Sequence, residues 1–163
     1  MTETANSTMV QVHRVYIKAS PQAIWDAITK PEWNEKFGYQ VPGEFDLREG
    51  GTYRALANQE MRDHGAPEVI IDGEILVCEP PHRLVQTWNI MFEAGTAAEP
   101  VTRLTWEIEA CGGFSALTVT HELTDAPLAA AFVGGEVPNA GGGWAYVLSD
   151  LKSLLETGSA MAG

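Results

Sequence analysis

His121 lies on an alternating run in which Leu117, Val119, His121 and Leu123 share one side and Thr118, Thr120 and Glu122 the other. An imidazole is thus carried on an apolar face, where it can accept, donate or transfer a proton. The plainest reading is a core histidine satisfied by one neighbour. A polar group orienting a ligand between apolar walls comes second, and a proton-transfer group third. His13, His64 and His82 are scattered along the chain, so no metal site is expected. Gly141-Gly142-Gly143, placed just before a helical pattern, has the composition of an anion cradle. No lysine or arginine stands nearby and the helix opens with Trp144, so a flexible hinge is the better reading. The chain has no H-E-x-x-H, G-x-x-x-x-G-K-[ST], G-x-S-x-G or G-x-G-x-x-G, which removes the metalloprotease, P-loop, hydrolase-elbow and dinucleotide signatures. No cofactor is expected. Cys78 and Cys111 form no C-x-x-C pair and read as two reduced thiols.

The elements that must position these groups follow from periodicity and turn chemistry. Val10 to Ile17 is rich in β-branched and aromatic residues and predicts a strand. Ser20-Pro21 supplies a capping hydroxyl and a proline suited to the first helical position, and Ala23, Ile24, Ala27 and Ile28 fall on one face of the helix that follows. Lys30-Pro31 ends that helix, and a second short one is expected over 32–37. Gly43 to Leu47 and Thr52 to Leu56 read as a hairpin closed by Glu49-Gly50-Gly51. Four further strands are expected over 69–78, 84–92, 101–109 and 116–123, with a polar connection or lid at 59–67 containing Asp63 and His64. Trp144, Val147, Leu148, Leu151, Leu154 and Leu155 then trace the apolar stripe of a long helix that Gly158 terminates. Six or seven antiparallel strands cannot bury their apolar face alone, and this helix is available to cover it.

The 163 residues carry 22 Asp+Glu against 10 Lys+Arg, a formal charge of −12. That balance disfavours nucleic acid and anionic membrane surfaces as partners, because both need basic residues to meet phosphates. No apolar run approaches membrane-spanning length. One domain over 1–163 is expected, with an ordered core of about 9–158 and frayed ends. Residues 1–8 lack the basic and apolar regions of a secretory signal, so a cytoplasmic protein is expected. Carboxylates such as Glu107, Glu109, Asp150 and Glu156 are read as solvated.

Four segments carry a family resemblance. Ala19 to Ile28, Phe45 to Tyr53 (Phe-Asp-Leu-Arg-Glu-Gly-Gly-Thr-Tyr), Glu79 to Trp88 (Glu-Pro-Pro-His-Arg-Leu-Val-Gln-Thr-Trp) and Gly142 to Leu151 occur in an order that resembles the SRPBCC superfamily, START-like and birch-pollen-allergen-like. Their spacing is similar to the branch named after activators of the heat-shock protein 90 ATPase. The likeness spans roughly residues 10–157. It implies an α+β helix-grip fold: a curved antiparallel sheet of six or seven strands around a long C-terminal helix, with two short helices after the first strand. It also implies an apolar cavity between sheet and helix. Family membership fixes the container and not its contents.

In such a fold Trp33, Phe37, Tyr53, Trp88, Met91, Trp106, Phe132 and Trp144 occupy the elements around the cavity. Trp88 and Trp106, mid-strand, read as packing residues; Trp33, Phe37, Met91 and Phe132, nearer element ends, read as mouth residues. The expected partner is a hydrophobic or amphipathic small molecule, oriented by His121 and Tyr53. Two alternatives stay open: a polyketide aromatase/cyclase-like enzyme, and a chaperone ATPase-activator-like interaction module. A homodimer formed through an edge strand is open as well.

Overall fold

A computed structural model describes residues 9–138 and 140–161. The polar stretch 1–8, Asn139 and the last two positions of the expected frayed tail lie outside the described residues.

The first strand, β1, covers Val10–Ile17 as the sequence predicts. Ser20 then accepts a hydrogen bond from the Ala23 N–H at 3.1 Å and Pro21 opens helix α1, Pro21–Thr29, whose Ile24, Ala27 and Ile28 are buried. The second helix, α2, is Pro31–Asn34, shorter than the expected span. After it the backbone turns at Gly38 (φ 63°), and the Asp150 carboxylate takes the Gly38 N–H at 2.8 Å, which directs Phe37 into the core.

Strands β2, Gly43–Phe45, and β3, Thr52–Leu56, form the expected hairpin, with Gly50 at φ 83° in the turn. The polar connection that follows contains a short helix, α3, Gln59–Asp63, capped by Asn58, which accepts from the Met61 N–H at 2.9 Å. Strands β4, Val69–Glu79, and β5, Arg83–Ile90, come next. Helix α4, Ala94–Ala97, occupies the long connection to β6, Thr102–Ala110, and β7, Ser115–Glu122, follows. Helix α5, Pro127–Val133, precedes the glycine-rich segment, and α6, Gly143–Thr157, ends at Gly158 with φ 86°.

The seven strands form one antiparallel sheet in the order β1-β7-β6-β5-β4-β3-β2, so β1 and β2 are its edges. Leu104, Trp106, Leu117, Val119 and His121 face inward and are buried. Arg103, Glu107, Glu109 and Glu122 face solvent. Helix α6 buries Trp144, Leu148, Leu151 and Leu154, each leucine stabilising the fold by about 2 kcal/mol through apolar burial. A small second cluster, Ala55, Ala57 and Ile70, sits at the β3–β4 end of the sheet.

One expectation changes here and a second gains detail. Asp150 is not solvated: it is 1% exposed, and its carboxylate also accepts from the Met161 N–H at 2.6 Å, tying part of the expected frayed tail to the helix. The glycine-rich run, read as a hinge, is also a close chain crossing. Gly143, at φ 66°, lies so close to the Val133 carbonyl and Gly135 N–H that a β-carbon would collide with both. Its glycines permit a tight chain crossing. Cys78 and Cys111 are both free.

Candidate functional site

The concave face of the sheet and α6 do not meet along their full length. Between them lies a cavity of about 570 Å³. Successive inward positions of β5 and β6 place Gln86, Trp88, Leu104 and Trp106 on its deep wall, and all four are buried. Tyr53 and Ala55 of β3 form one flank, and Trp144 and Val147, one turn apart on α6, form the opposite one. His64, Gly65 and Glu93 line the cavity and are themselves exposed, which locates the opening between the end of α3 and the residues after β5.

The rings of the wall are set by specific contacts. Trp106 and Trp144 meet edge to face at 5.3 Å, and Trp88 lies 6.0 Å from Trp144. Tyr53 stacks obliquely on Phe45 at 4.6 Å. Burial pushes the Tyr53 phenol well above its ordinary value, with the Trp88 indole N–H pulling weakly the other way.

His121 stands behind this wall. It is fully buried and borders the cavity only through its neighbours. Trp144 Nε1–H donates to its Nδ1 at 3.1 Å, and an indole nitrogen can only donate, so that ring nitrogen carries no proton. The proton sits on Nε2, which donates to Thr102 Oγ1 at 2.7 Å, and the threonine hydroxyl donates in turn to the Trp88 carbonyl at 2.7 Å. Burial lowers the His121 pKa to about 3, with a smaller contribution from His13. The imidazole is neutral, fully engaged, and holds the Trp144 ring in place.

The cavity therefore brings together Phe37, Tyr53, Trp88, Trp106, Phe132 and Trp144 of the residues singled out in the sequence. It does not include His121, Trp33 or Met91. Trp33 packs against the outside of the main core with Lys36 Nζ 4.7 Å from its ring, and Met91 is exposed, its sulfur accepting from Asn89 at 3.3 Å. Sequence reasoning missed Tyr39 and Gln86. Tyr39 packs on Phe132 and Tyr146, and its hydroxyl accepts from the Gly143 N–H at 3.1 Å, fixing the start of α6. Gln86 shares its strand face with Leu84 and Trp88, and the period-two argument that singled out His121 would have found it.

Among the described residues no group of three His, Cys, Asp or Glu side chains could hold a metal ion. No described helix is long and apolar enough to cross a membrane. The ionisable groups lining the cavity are Tyr39, Tyr53, His64 and Glu93, and its deep end presents neutral groups alone. Such a site can enclose an apolar molecule and offer it a few fixed hydrogen-bonding atoms.

A curved antiparallel sheet closed by a C-terminal helix, with short helices after the first strand, defines the α+β helix-grip class of the SRPBCC superfamily. Within it, the chain belongs to the activator of Hsp90 ATPase homolog 1-like protein family, whose model matches residues 18–156. Solved structures share the fold. CalU16 from Micromonospora echinospora is 22% identical with a TM-score of 0.63, the match covering 95% of this chain and 88% of that one. Protein MLL2253 from Mesorhizobium loti is 19% identical with a TM-score of 0.68, covering 91% and 97%. The Aha1 dimer from Colwellia psychrerythraea is 20% identical with a TM-score of 0.61, covering 92% and 98%. At these identities the likeness is one of fold. No curated protein matches the chain in sequence.

Proposed function

We propose that this protein binds a hydrophobic or amphipathic small molecule in the cavity between the sheet and α6. The observation that carries the reading is the cavity itself: about 570 Å³, walled by Trp88, Trp106, Trp144 and Tyr53, and reached past His64 and Glu93. That volume is in the range of pockets that enclose drug-sized ligands. Burial of ligand surface supplies the affinity, at about 25 cal/mol per Å² before ordering costs. His121 serves the site indirectly, by holding Trp144. With both nitrogens engaged and the wall in front of it, it is poorly placed to transfer a proton to a molecule in the cavity, which favours binding over an aromatase/cyclase-like reaction. The same reading takes residues 1–163 as one domain of a cytoplasmic protein.

Native mass spectrometry of the protein purified from its own cells, together with tryptophan-fluorescence titration with fluorene, tests the proposal. A copurifying small molecule, or saturable one-to-one quenching by fluorene, is the expected result. Protein of apo mass that gives no saturable response to fluorene overturns it.

A further inference from the structure

Glu93 is the one carboxylate of the cavity lining, and it stands at the opening, exposed. It occupies the capping position of α4 without making a capping bond, and among the described residues its carboxylate has no partner. His64 lines the same opening. Its Nδ1 lies 2.8 Å from the Glu60 carbonyl, and a carbonyl can only accept, so Nδ1 carries a proton and the neutral ring keeps its acceptor lone pair on Nε2. No cation answers these acceptors from the cavity wall. The lining contains no lysine or arginine, and Arg62, two residues before His64, is engaged with Gln59 Oε1 at 3.0 Å outside it. Asn34, an amide of the lining, spends its Nδ2 on the Ala27 and Ile28 carbonyls, both at 2.8 Å.

Resting on the binding reading above, we infer that the ligand is an arylalkylamine bound as its ammonium ion, with the charge beside Glu93 at the opening and the ring body inside. The aromatic body is specified by the indoles of Trp88, Trp106 and Trp144, which offer ring edges and faces to a flat molecule. The charge is specified by the opening. An ammonium group held there meets a free carboxylate and keeps part of its hydration, so it does not pay the cost of entering the apolar interior. A carboxylate ligand would meet Glu93 with no cation in the lining to offset it. The −12 of the whole chain adds a field that draws cations and repels anions.

The test uses fluorene and three derivatives that differ only at C9: 9-(aminomethyl)fluorene, 9-fluorenylmethanol and 9-fluorenecarboxylate. Affinities are measured by equilibrium dialysis at pH 7 on the full chain, Glu93→Gln and Glu107→Gln. The wild type is expected to bind the ammonium compound about fivefold more tightly than the alcohol, and the carboxylate at least about fivefold more weakly than the alcohol. Glu93→Gln should remove the preference for ammonium over alcohol. Glu107→Gln makes the same charge change on the solvent-facing side of β6 and should keep it. Should Glu93→Gln fail to fold, the wild-type order of the three affinities decides. Equal binding of ammonium and alcohol overturns the inference, as does a carboxylate bound as tightly as the ammonium compound. A preference that survives Glu93→Gln, or that Glu107→Gln removes equally, also overturns it, assigning the selectivity to the overall charge. Fluorene carries no charge, so its binding keeps the binding reading intact in each of these cases. Binding of none of the four compounds overturns both readings.

Discussion

Trp144 on α6 and His121 on β7 are joined by a 3.1 Å hydrogen bond that fixes the histidine tautomer and the orientation of a cavity-wall ring at once. Through Thr102 the same chain of bonds reaches the Trp88 backbone, so two of the aromatic walls depend on one neutral imidazole. Replacing His121 by Phe keeps the bulk and leaves the Trp144 N–H and the Thr102 hydroxyl each short of a partner. The expected loss is about 1–3 kcal/mol at pH 7, measured by urea unfolding.

The His121 pKa also sets a pH dependence. The folded value is near 3 and the ordinary value is 6.5, so between these limits the unfolded chain binds the extra proton. Stability therefore falls as pH drops below 6.5, at up to about 1.4 kcal/mol per pH unit, and by about 2 kcal/mol on reaching pH 5. His13, also lowered by burial, adds a slope of the same sign. The informative quantity is the difference between wild type and His121→Phe: the gap in unfolding free energy should narrow from pH 7 to pH 5, and a constant gap would show that His121 does not titrate on unfolding.

Asp150 offers a prediction on the two segments it ties together. Its carboxylate collects the Gly38 and Met161 N–H groups at 2.8 and 2.6 Å while almost fully buried. Asp150→Leu strands both donors and should cost about 3 kcal/mol. Amide exchange at Gly38 should rise together with that at Met161, and not within α2.

Ala55 faces the cavity from β3 and is buried. Ala55→Phe places a ring in the space proposed for the ligand. Fluorene affinity should fall by more than about tenfold, roughly 1.4 kcal/mol, while the thermal midpoint holds. Unchanged affinity would place fluorene outside this cavity.

Burial and the nearby Glu49 charge push the Cys78 thiol up, which keeps it protonated and slow to react. With iodoacetamide at pH 8 both cysteines of the native protein should be modified, Cys78 the more slowly. Mass mapping of partially alkylated protein measures the order.

The parts of this fold legible in the sequence were those governed by local rules. Alternation over 102–109 and 117–123 placed two strands and the inward face of His121, and Ser20-Pro21 and Gly158 marked helix ends that the backbone adopts. What stayed hidden depended on where distant segments meet. Asp150 occupies a position that reads as solvent-facing until the 38 and 161 amides converge on it from opposite ends of the chain. His121 was assigned the correct face, but its depth is decided by the Trp144 indole standing between it and the cavity. Trp33 and Met91 are large apolar residues near element ends, as are Phe37 and Phe132, and only the path of the chain separates the two pairs.

The void between sheet and helix divides the interior into two packed bodies. Tyr53, Ile71 and Phe92 touch both the main core and the Ala55–Ala57–Ile70 cluster, and all three border the empty space. Beneath these side chains the backbone is continuous, β3 pairing with β4 and β4 with β5, and Ile75 of β4 lies in the main core. A molecule lodged there would become a structural member, a keystone between the two clusters. Occupancy would then be readable in the backbone of its flank, as slower amide exchange over 52–56 with little change in β1.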